Sequence, residues 1–255
     1  GKFPVTWMDW SVPFGPLDAR ISHDAKQTVF DEFPVWERDL NANGIVNFNI
    51  FGMVPYGFLS KEPINSLADF EGKKVAMVGD YPGRYLSAAG MACVSAPAAD
   101  RYEMMRTNVV DIDFLSRPEA YSYKVHEQAN YSIGPNVLQV TQWGTYMGLE
   151  TFNSLSPDLQ KILIDAGDEA VEIYITEILP TWGGKVDEAW EAAGIEHSEL
   201  SEEDLQTWLD EVGDTPGGWA ADMESKGYPG WAMMERYLEA CEDMGWEFVR
   251  EWAQR

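Results

Sequence analysis

Basic residues, histidines and cysteines are scarce in this 255-residue chain. It has 18 Lys and Arg residues against 43 Asp and Glu, a formal net charge of −25, three histidines and two cysteines. A strongly negative protein repels nucleic acids and anionic membranes, so the charge argues against binding to either. Two cysteines do not make a disulfide framework. Cys93 and Cys241 are predicted to be isolated buried thiols, although their pairing stays open.

Long apolar runs and catalytic motifs are also lacking. No apolar run approaches the roughly 20 residues that a membrane-spanning helix needs. His23, His126 and His197 are scattered and lie near no serine or cysteine pattern typical of a nucleophilic site. No metal-ligand spacing surrounds either cysteine. We therefore expect no enzyme activity, no metal and no cofactor.

The segment Ile64–Val75 carries the clearest structural signal. Ser66 is expected to cap a short helix that Gly72 ends, and an apolar strand, Val75–Val78, follows. The next segments continue the alternation, with predicted helices over Arg84–Ala89 and Asp100–Thr107 and predicted strands over Ala92–Ser95 and Val109–Phe114. This order is typical of a small parallel sheet in an α/β protein.

The rest of the chain supplies longer elements. Apolar spacing predicts a helix around Asp18–Ala42, a strand over Ile45–Phe51 and a β-rich segment over Leu138–Met147. A very long helix is predicted to begin at Ser156-Pro157 and to run towards Ala193, with a kink or interruption at Pro180 and Gly183-Gly184. The segment Trp7–Trp10 is predicted to be strand-like.

Four sequence phrases resemble, in their order and spacing, phrases of the solute-binding proteins of TRAP transporters. They lie at Gly1–Pro4, Ser60–Val75, Arg101–Asp111 and Phe152–Lys161. This resemblance implies an α/β, two-lobed, periplasmic-binding-protein-like (type II) fold with a hinge and a long helix spanning both lobes. The match enters the family pattern part-way along. We therefore expect the N-terminal part of the family fold to be missing from this chain.

The resemblance also implies a domain organisation and a role. Lobe I is expected at residues 1–52 plus 139–180, incomplete at its N-terminus, lobe II at 53–138 plus 181–212, and C-terminal helices packing on the lobes at 213–255. The implied role is that of a periplasmic receptor that binds a small organic acid in the interlobe cleft. It would deliver this solute to the TRAP membrane subunits, and we expect a monomer.

The residues expected to bind the solute depart from the usual family pattern. The family generally holds a carboxylate with an arginine at the position of Ala76, because a planar guanidinium matches a carboxylate in geometry and charge. Arg84 and Arg117 follow predicted strand ends, where open α/β sheets place their ligands, and are candidate replacements. For each, a surface or salt-bridge role is about equally supported. Tyr56 occupies a second family position that is usually basic.

Aromatic and acidic residues complete the candidate site. Trp10, Tyr56 and Trp143 are expected to form a flat apolar wall, and Asp9 or Asp113 is the candidate counter-charge for a cationic solute. A neutral, zwitterionic or cationic solute in an aromatic cage is therefore an alternative to an organic acid. A non-transport sensor or interaction domain, and an enzyme using paired carboxylates in the same cleft, are further alternatives.

Overall fold

The computed structural model describes residues 2–52 and 55–254, without the side chain of Gln142. The α-helices are α1 Ala19–Glu32, α2 Val35–Ala42, α3 Asp80–Ala88, α4 Ala98–Arg106, α5 Arg117–Ser122, α6 Leu149–Asn153, α7 Pro157–Ile173, α8 Leu179–Ala193, α9 Glu202–Val212, α10 Thr215–Ser225 and α11 Gly230–Asp243. The strands are β1 Ile45–Gly52, β2 Tyr56–Ser60, β3 Lys74–Met77, β4 Ala92–Ser95, β5 Ile112–Ser116, β6 Tyr131–Leu138, β7 Thr141–Gly148 and β8 Glu196–Glu199.

The chain divides into two compact units. Unit 1 consists of Gly1–Met53, Gln139–Pro180 and Pro216–Arg255, and unit 2 of Val54–Leu138 and Thr181–Thr215. The sequence predicts that lobe II begins at residue 53. This residue, Met53, lies outside the described residues. The C-terminal helices α10 and α11 fall almost entirely within unit 1.

Unit 1 is built on β1 and β7, which pair in antiparallel fashion with Ile45 opposite Gly148. Helix α1 packs against α11, and α7 lies directly on β1. The approach of α7 to β1 is close enough to require glycine, because a Cβ on Gly167 would lie 2.3 Å from the carbonyl oxygen of Phe48. The side-chain amide of Asn49 reinforces this contact by donating to the Gly167 carbonyl at 3.1 Å.

The single helix predicted around Asp18–Ala42 is wrong, since the structure has two helices there, α1 and α2. Asp18 caps α1 by accepting from the backbone N–H groups of Arg20 and Ile21, at 2.8 and 3.0 Å. The break follows from Pro34, which disfavours a helical conformation in the preceding residue, and Phe33 accordingly has φ −118° and ψ 92°.

The strand predicted at Trp7–Trp10 is also wrong. Pro4–Trp7 and Asp9–Ser11 are 3-10 helices, and the first begins at a proline, whose fixed φ suits a helical start. The side chain of Asp9 is drawn into the interior, where its carboxylate accepts from the Lys26 ammonium at 2.8 Å. This tertiary contact competes with the alternating aromatic pattern and determines the local conformation.

Unit 2 contains a mixed sheet whose order, in the described residues, is β4-β3-β5-β2-β6-β8. Strand β3 is parallel to β4 and β5, as the alternation of helix and strand predicts, whereas β2 is antiparallel to both β5 and β6. The predicted parallel sheet is therefore only one half of the observed sheet. The other half depends on pairings between segments far apart in the chain.

Most predicted elements of unit 2 occur with shifted ends. The Ser66 capping box is present before the 3-10 helix Leu67–Phe70, and β4 has the predicted bounds. Helix α3 begins at Asp80 rather than Arg84, because Pro82 falls in its first turn, where proline is tolerated. Strand β5 begins at Ile112, three residues later than predicted.

One sheet face of unit 2 is covered by aromatic side chains. The Phe58 ring lies 5.0 Å from Phe114, 5.3 Å from Phe70 and 6.1 Å from Trp208. Trp208 is fully buried, and its indole N–H donates to the Tyr85 carbonyl at 2.7 Å. These rings attach α9 and α3 to the sheet and support the strand ends that carry the candidate site.

The predicted long helix is continuous from Pro157 to Ala193. Its irregularity is a π-helical turn, Tyr174–Ile178, placed immediately before α8 rather than at the glycines. Pro180 has no N–H to donate to the preceding turn, and a wider turn in front of it accommodates that loss. Gly183 and Gly184 lie within α8 and do not interrupt it.

Candidate functional site

Four of the predicted site residues belong to unit 2, three of them at one edge of its sheet. Strands β3 and β5 are parallel, so Arg84, in the helix after β3, and Arg117, directly after β5, follow strand ends at the same edge. Tyr56 begins the antiparallel strand β2 and is paired with Ser116, the last residue of β5. Open α/β sheets bind their ligands beyond such strand ends.

Tyr56 is buried and its hydroxyl group points towards an acidic side chain. The hydroxyl donates to Glu119 Oε2 at 3.2 Å, and the Ser116 hydroxyl donates to the same oxygen at 2.7 Å. Burial, followed by the charge of Glu119, raises the pKa of Tyr56 well above its usual range. Tyr56 is therefore a neutral hydrogen-bond donor that helps hold Glu119.

Asp113 is also buried, with 1% of its surface exposed, and is paired with an arginine that the sequence analysis missed. The Arg101 guanidinium donates to Asp113 Oδ1 at 3.1 Å and to the carbonyls of Phe114, at 2.7 Å, and Ala96. Burial raises the pKa of Asp113 to about 6, although the positive charge of Arg101 opposes this shift. Asp113 thus already serves as the counter-charge of Arg101.

Two sequence signals could have identified this ion pair. Arg101 occupies the buried face of α4, four residues before the buried Met105, where an apolar residue is expected. Asp113 is the second residue of a five-residue strand whose members are all buried. It is also the register partner of Ala76, the position where the family resemblance implies an arginine. A buried base and a buried acid twelve positions apart predict mutual pairing.

Arg117 is half-buried and already has two partners on α8. Its guanidinium forms an ion pair with Asp187, and its guanidinium carbon lies 4.1 Å from the centroid of the Trp190 ring. The carboxylate compensates the charge of Arg117, and the indole covers one face of the planar group. Arg117 is therefore held by the protein itself.

Arg84 differs from Arg117 in exposure and in charge compensation, although its guanidinium also contacts an aromatic ring. It is exposed on α3, where its guanidinium carbon lies 5.0 Å from the centroid of the buried Tyr81 ring. Within the residues that the structure describes, it forms no ion pair. Of the two arginines proposed from the sequence, Arg84 thus has the guanidinium that remains available to an anion.

The other two candidates belong to unit 1. Trp10 is 2% exposed and its ring lies 5.0 Å from that of Trp7, as expected of a core residue. Trp143, on β7, is 51% exposed, so its ring is open to solvent. Asp9, the alternative counter-charge, is 1% exposed and binds Lys26 and the backbone N–H of Thr141, so both of its oxygens have partners.

A pocket of about 380 Å³ opens at the opposite edge of the unit 2 sheet, near the starts of β3 and β5. Its volume falls in the range of small-molecule sites. Its charged groups are partnered, however, because Lys73 pairs with Glu62 at 2.8 Å and Lys61 donates to the side chain of Asn108 and the carbonyl of Met105. This pocket does not offer a free group for a carboxylate.

Neither thiol chemistry nor a metal centre is evident in the part of the chain that the structure describes. Cys93 and Cys241 are free, and they belong to different units. Residues 2–52 and 55–254 contain no group of three His, Cys, Asp or Glu side chains placed to hold a metal ion. The described helices also include none that is long and apolar enough to cross a membrane.

Comparison with known proteins assigns the family. The sequence model of the bacterial extracellular solute-binding proteins, family 7, matches residues 1–215. The chain belongs to this family. The resemblance to TRAP solute-binding proteins proposed from four sequence phrases is thereby confirmed.

Solved structures confirm the fold class of this family 7 protein. A TRAP solute-binding protein from a marine metagenome, specific for aromatic acids and complexed with metahydroxyphenylacetate, matches with a TM-score of 0.81 and 19% identity over 98% of this chain and 77% of its own. A TRAP solute-binding protein from Rhodoferax ferrireducens, with benzoate, has a TM-score of 0.80 and 18% identity over 95% of this chain and 76% of its own. A TRAP solute-binding protein from Sulfitobacter sp. NAS-14.1, with galacturonate, has a TM-score of 0.74 and 18% identity over 93% of this chain and 76% of its own. The predicted α/β, two-lobed type II class is correct.

A curated relative agrees with the family assignment. A solute-binding protein of Sulfitobacter sp. (strain NAS-14.1) is 28% identical over 116 residues, which are 44% of this chain. The match spans 34% of that relative's length.

Proposed function

We propose that this family 7 protein is a periplasmic solute receptor that binds a small organic acid and delivers it to the membrane subunits of a TRAP-type transporter. The family assignment supports the receptor role. The observation that carries the choice of solute is the free, exposed guanidinium of Arg84 at the strand-end edge of unit 2. Ligand-stabilised closure would be the mechanism of such a receptor, without catalysis.

An anionic solute needs a local positive charge, because the chain carries a net charge of −25. Around the strand ends, Arg101 is buried against Asp113 and Arg117 is paired with Asp187. Arg84 is the remaining candidate, and its planar fork can donate two parallel hydrogen bonds to one carboxylate. Stacking on Tyr81 restricts the guanidinium and so reduces the entropy lost when a carboxylate binds.

The solutes of the structural relatives support an acid but not a particular one. The three relatives described above carry metahydroxyphenylacetate, benzoate and galacturonate, which share a carboxylate and differ in the rest of the molecule. We therefore propose the carboxylate as the group that Arg84 recognises. The remaining surface of the site would select the shape of the acid.

One observation favours a cationic solute as a second candidate. The side chains around Arg117 include three carboxylates, those of Asp113, Glu119 and Asp187, against the two guanidinium groups of Arg101 and Arg117. An excess of negative charge beside the aromatic side chains of Tyr56 and Trp190 suits a quaternary or primary amine. The same binding experiment discriminates between the two candidates.

The test is a thermal-shift screen of the purified protein against organic acids, aromatic acids, zwitterions and quaternary amines, repeated in the Arg84→Ala variant. A ligand at a hundred times its dissociation constant stabilises the folded state by about 2.7 kcal/mol, which a melting curve resolves. We expect an acid to bind and its affinity to fall about tenfold or more in Arg84→Ala, because a bidentate charged contact is lost.

Arg106→Ala is the matched control, since Arg106 is an exposed arginine of the same unit that pairs with Glu103 on its own helix. This variant should bind the acid as the unchanged protein does. An acid that binds Arg84→Ala equally well would refute the role of Arg84. Hits confined to amines would favour the second candidate, and no hit in any class would favour a sensor or interaction domain that has lost solute capture.

A further inference from the structure

A small cavity lies inside unit 2, where five elements meet. It is lined by residues of β2, β5, α5, β6 and α8, among them Asp113, Arg117, Ala120, Ser132, Asn136 and Trp190. The space open to the centre of a water molecule is about 10 Å³. A buried water molecule needs roughly this volume.

Three polar atoms on residues that line the cavity are buried and have no hydrogen-bond partner among the described residues. They are Asp113 Oδ2, Arg117 Nε and Trp190 Nε1. Each buried group left unsatisfied costs about 1–3 kcal/mol, and native proteins satisfy nearly all such groups. Their occurrence around one cavity therefore calls for a shared partner.

The chemistry of the three atoms identifies that partner. Asp113 Oδ2 is an acceptor, whereas the N–H groups of Arg117 and Trp190 are donors. A water molecule donates to the first and accepts from the other two. A cation would face the two N–H donors and the charge of Arg117, and an anion would face the carboxylate, so neither suits the site.

A side-chain amide also forms part of the cavity wall. Asn136 lines it from β6, and its side-chain oxygen lies where a Cβ on Gly57 would come within 2.7 Å. The absence of a side chain at Gly57 thus allows the Asn136 amide to lie against β2. Buried waters typically make about three hydrogen bonds, and this site can offer as many.

We propose that this cavity binds one structural water, which links Arg117 and Trp190 to Asp113 and makes Arg117 an internal positioning residue rather than a solute contact. With the water on Nε, Asp187 on its terminal nitrogen and Trp190 across one face, the guanidinium is held from three sides. Burial raises the pKa of Asp113 only to about 6, so at neutral pH the carboxylate is mainly ionised and Oδ2 needs a donor.

The indole N–H signals of the eleven tryptophans provide a direct test in solution. In proton–nitrogen spectra at neutral pH, the Trp190 indole proton, assigned by its loss in Trp190→Phe, should show cross-relaxation with a long-lived water. The Trp208 indole is the internal control, because it is fully buried and donates to the Tyr85 carbonyl, and it should show none. Absence of water contact at Trp190 would overturn the proposal.

Two further measurements test the proposal without the Trp190→Phe variant and without knowledge of which solute binds. In a high-resolution crystal structure, a density peak within hydrogen-bond distance of Asp113 Oδ2 and Arg117 Nε supports the site, whereas a protein donor on Asp113 Oδ2 and no peak would overturn it. Arg117→Lys should change the affinity for any bound acid by less than about threefold, while a tenfold loss would return Arg117 to the solute site. Neither result depends on the outcome for Arg84→Ala.

Discussion

Replacing Lys26 by methionine should destabilise unit 1 severely. Lys26, on α1, and Asp9 form an ion pair at 2.8 Å whose side chains are 1% and 0% exposed. The ammonium also donates to the carbonyls of Thr6, at 2.9 Å, and Thr141, and the second oxygen of Asp9 accepts from the Thr141 N–H at 2.7 Å. The pair therefore joins the N-terminal segment, α1 and β7.

The magnitude follows from what the substitution leaves behind. Methionine fills a similar volume but removes the charge, so Asp9 stays buried without its partner, which costs about 3–5 kcal/mol. Burial already raises the pKa of Asp9, and the attraction of Lys26 opposes that rise. Without Lys26 the pKa of Asp9 in the folded state rises further. The folded variant then binds a proton more readily than the unfolded chain, so its stability is greatest at low pH and falls as the pH increases.

The assay is urea unfolding followed by circular dichroism, with the transition midpoint compared at neutral and acidic pH. Lys161→Met is the matched control, because Lys161 is 74% exposed and its pair with Asp165 on the same helix is worth less than about 0.5 kcal/mol. The Lys26→Met, Asp9→Asn double variant should recover part of the loss, since it no longer buries a lone charge. A loss below about 1 kcal/mol in Lys26→Met at neutral pH would refute the reasoning.

Three other substitutions test features of the fold. The pKa of Asp113 is raised from 3.8 to about 6, so between these pH values the folded state binds more protons than the unfolded state. The folded state therefore loses about 3 kcal/mol of stability as the pH rises through this range. Asp113→Asn should lack this loss in urea unfolding from pH 4 to pH 7, and an unchanged pH profile would contradict the prediction. Gly167→Ala should destabilise by about 1–3 kcal/mol, because the new Cβ meets the Phe48 carbonyl. Gly184→Ala, in an open part of α8, should instead stabilise by about 0.5–1 kcal/mol, and equal melting shifts for the two glycine variants would contradict the close approach of α7 to β1.

The family, the fold class and most elements of unit 2 could be predicted from the sequence, because they depend on local signals. Ser66 and Gly72 mark the ends of a short helix through capping and a left-handed turn, with Gly72 at φ 73°. Apolar spacing placed β4 at its observed bounds. The order of four phrases identified the solute-binding family, since each phrase records a local turn, cap or strand.

Which charged residues have partners depends on contacts between distant segments and could be seen only in the folded chain. Arg117 and Asp187 are 70 positions apart, and no local pattern predicts that α8 brings the carboxylate and Trp190 onto the guanidinium. The same holds for Lys26 and Asp9, which convert an expected strand into 3-10 turns around a buried ion pair. Burial makes such charges find partners, and the partner is selected by packing between distant segments, so Arg84 could be distinguished from Arg117 only after the chain was folded.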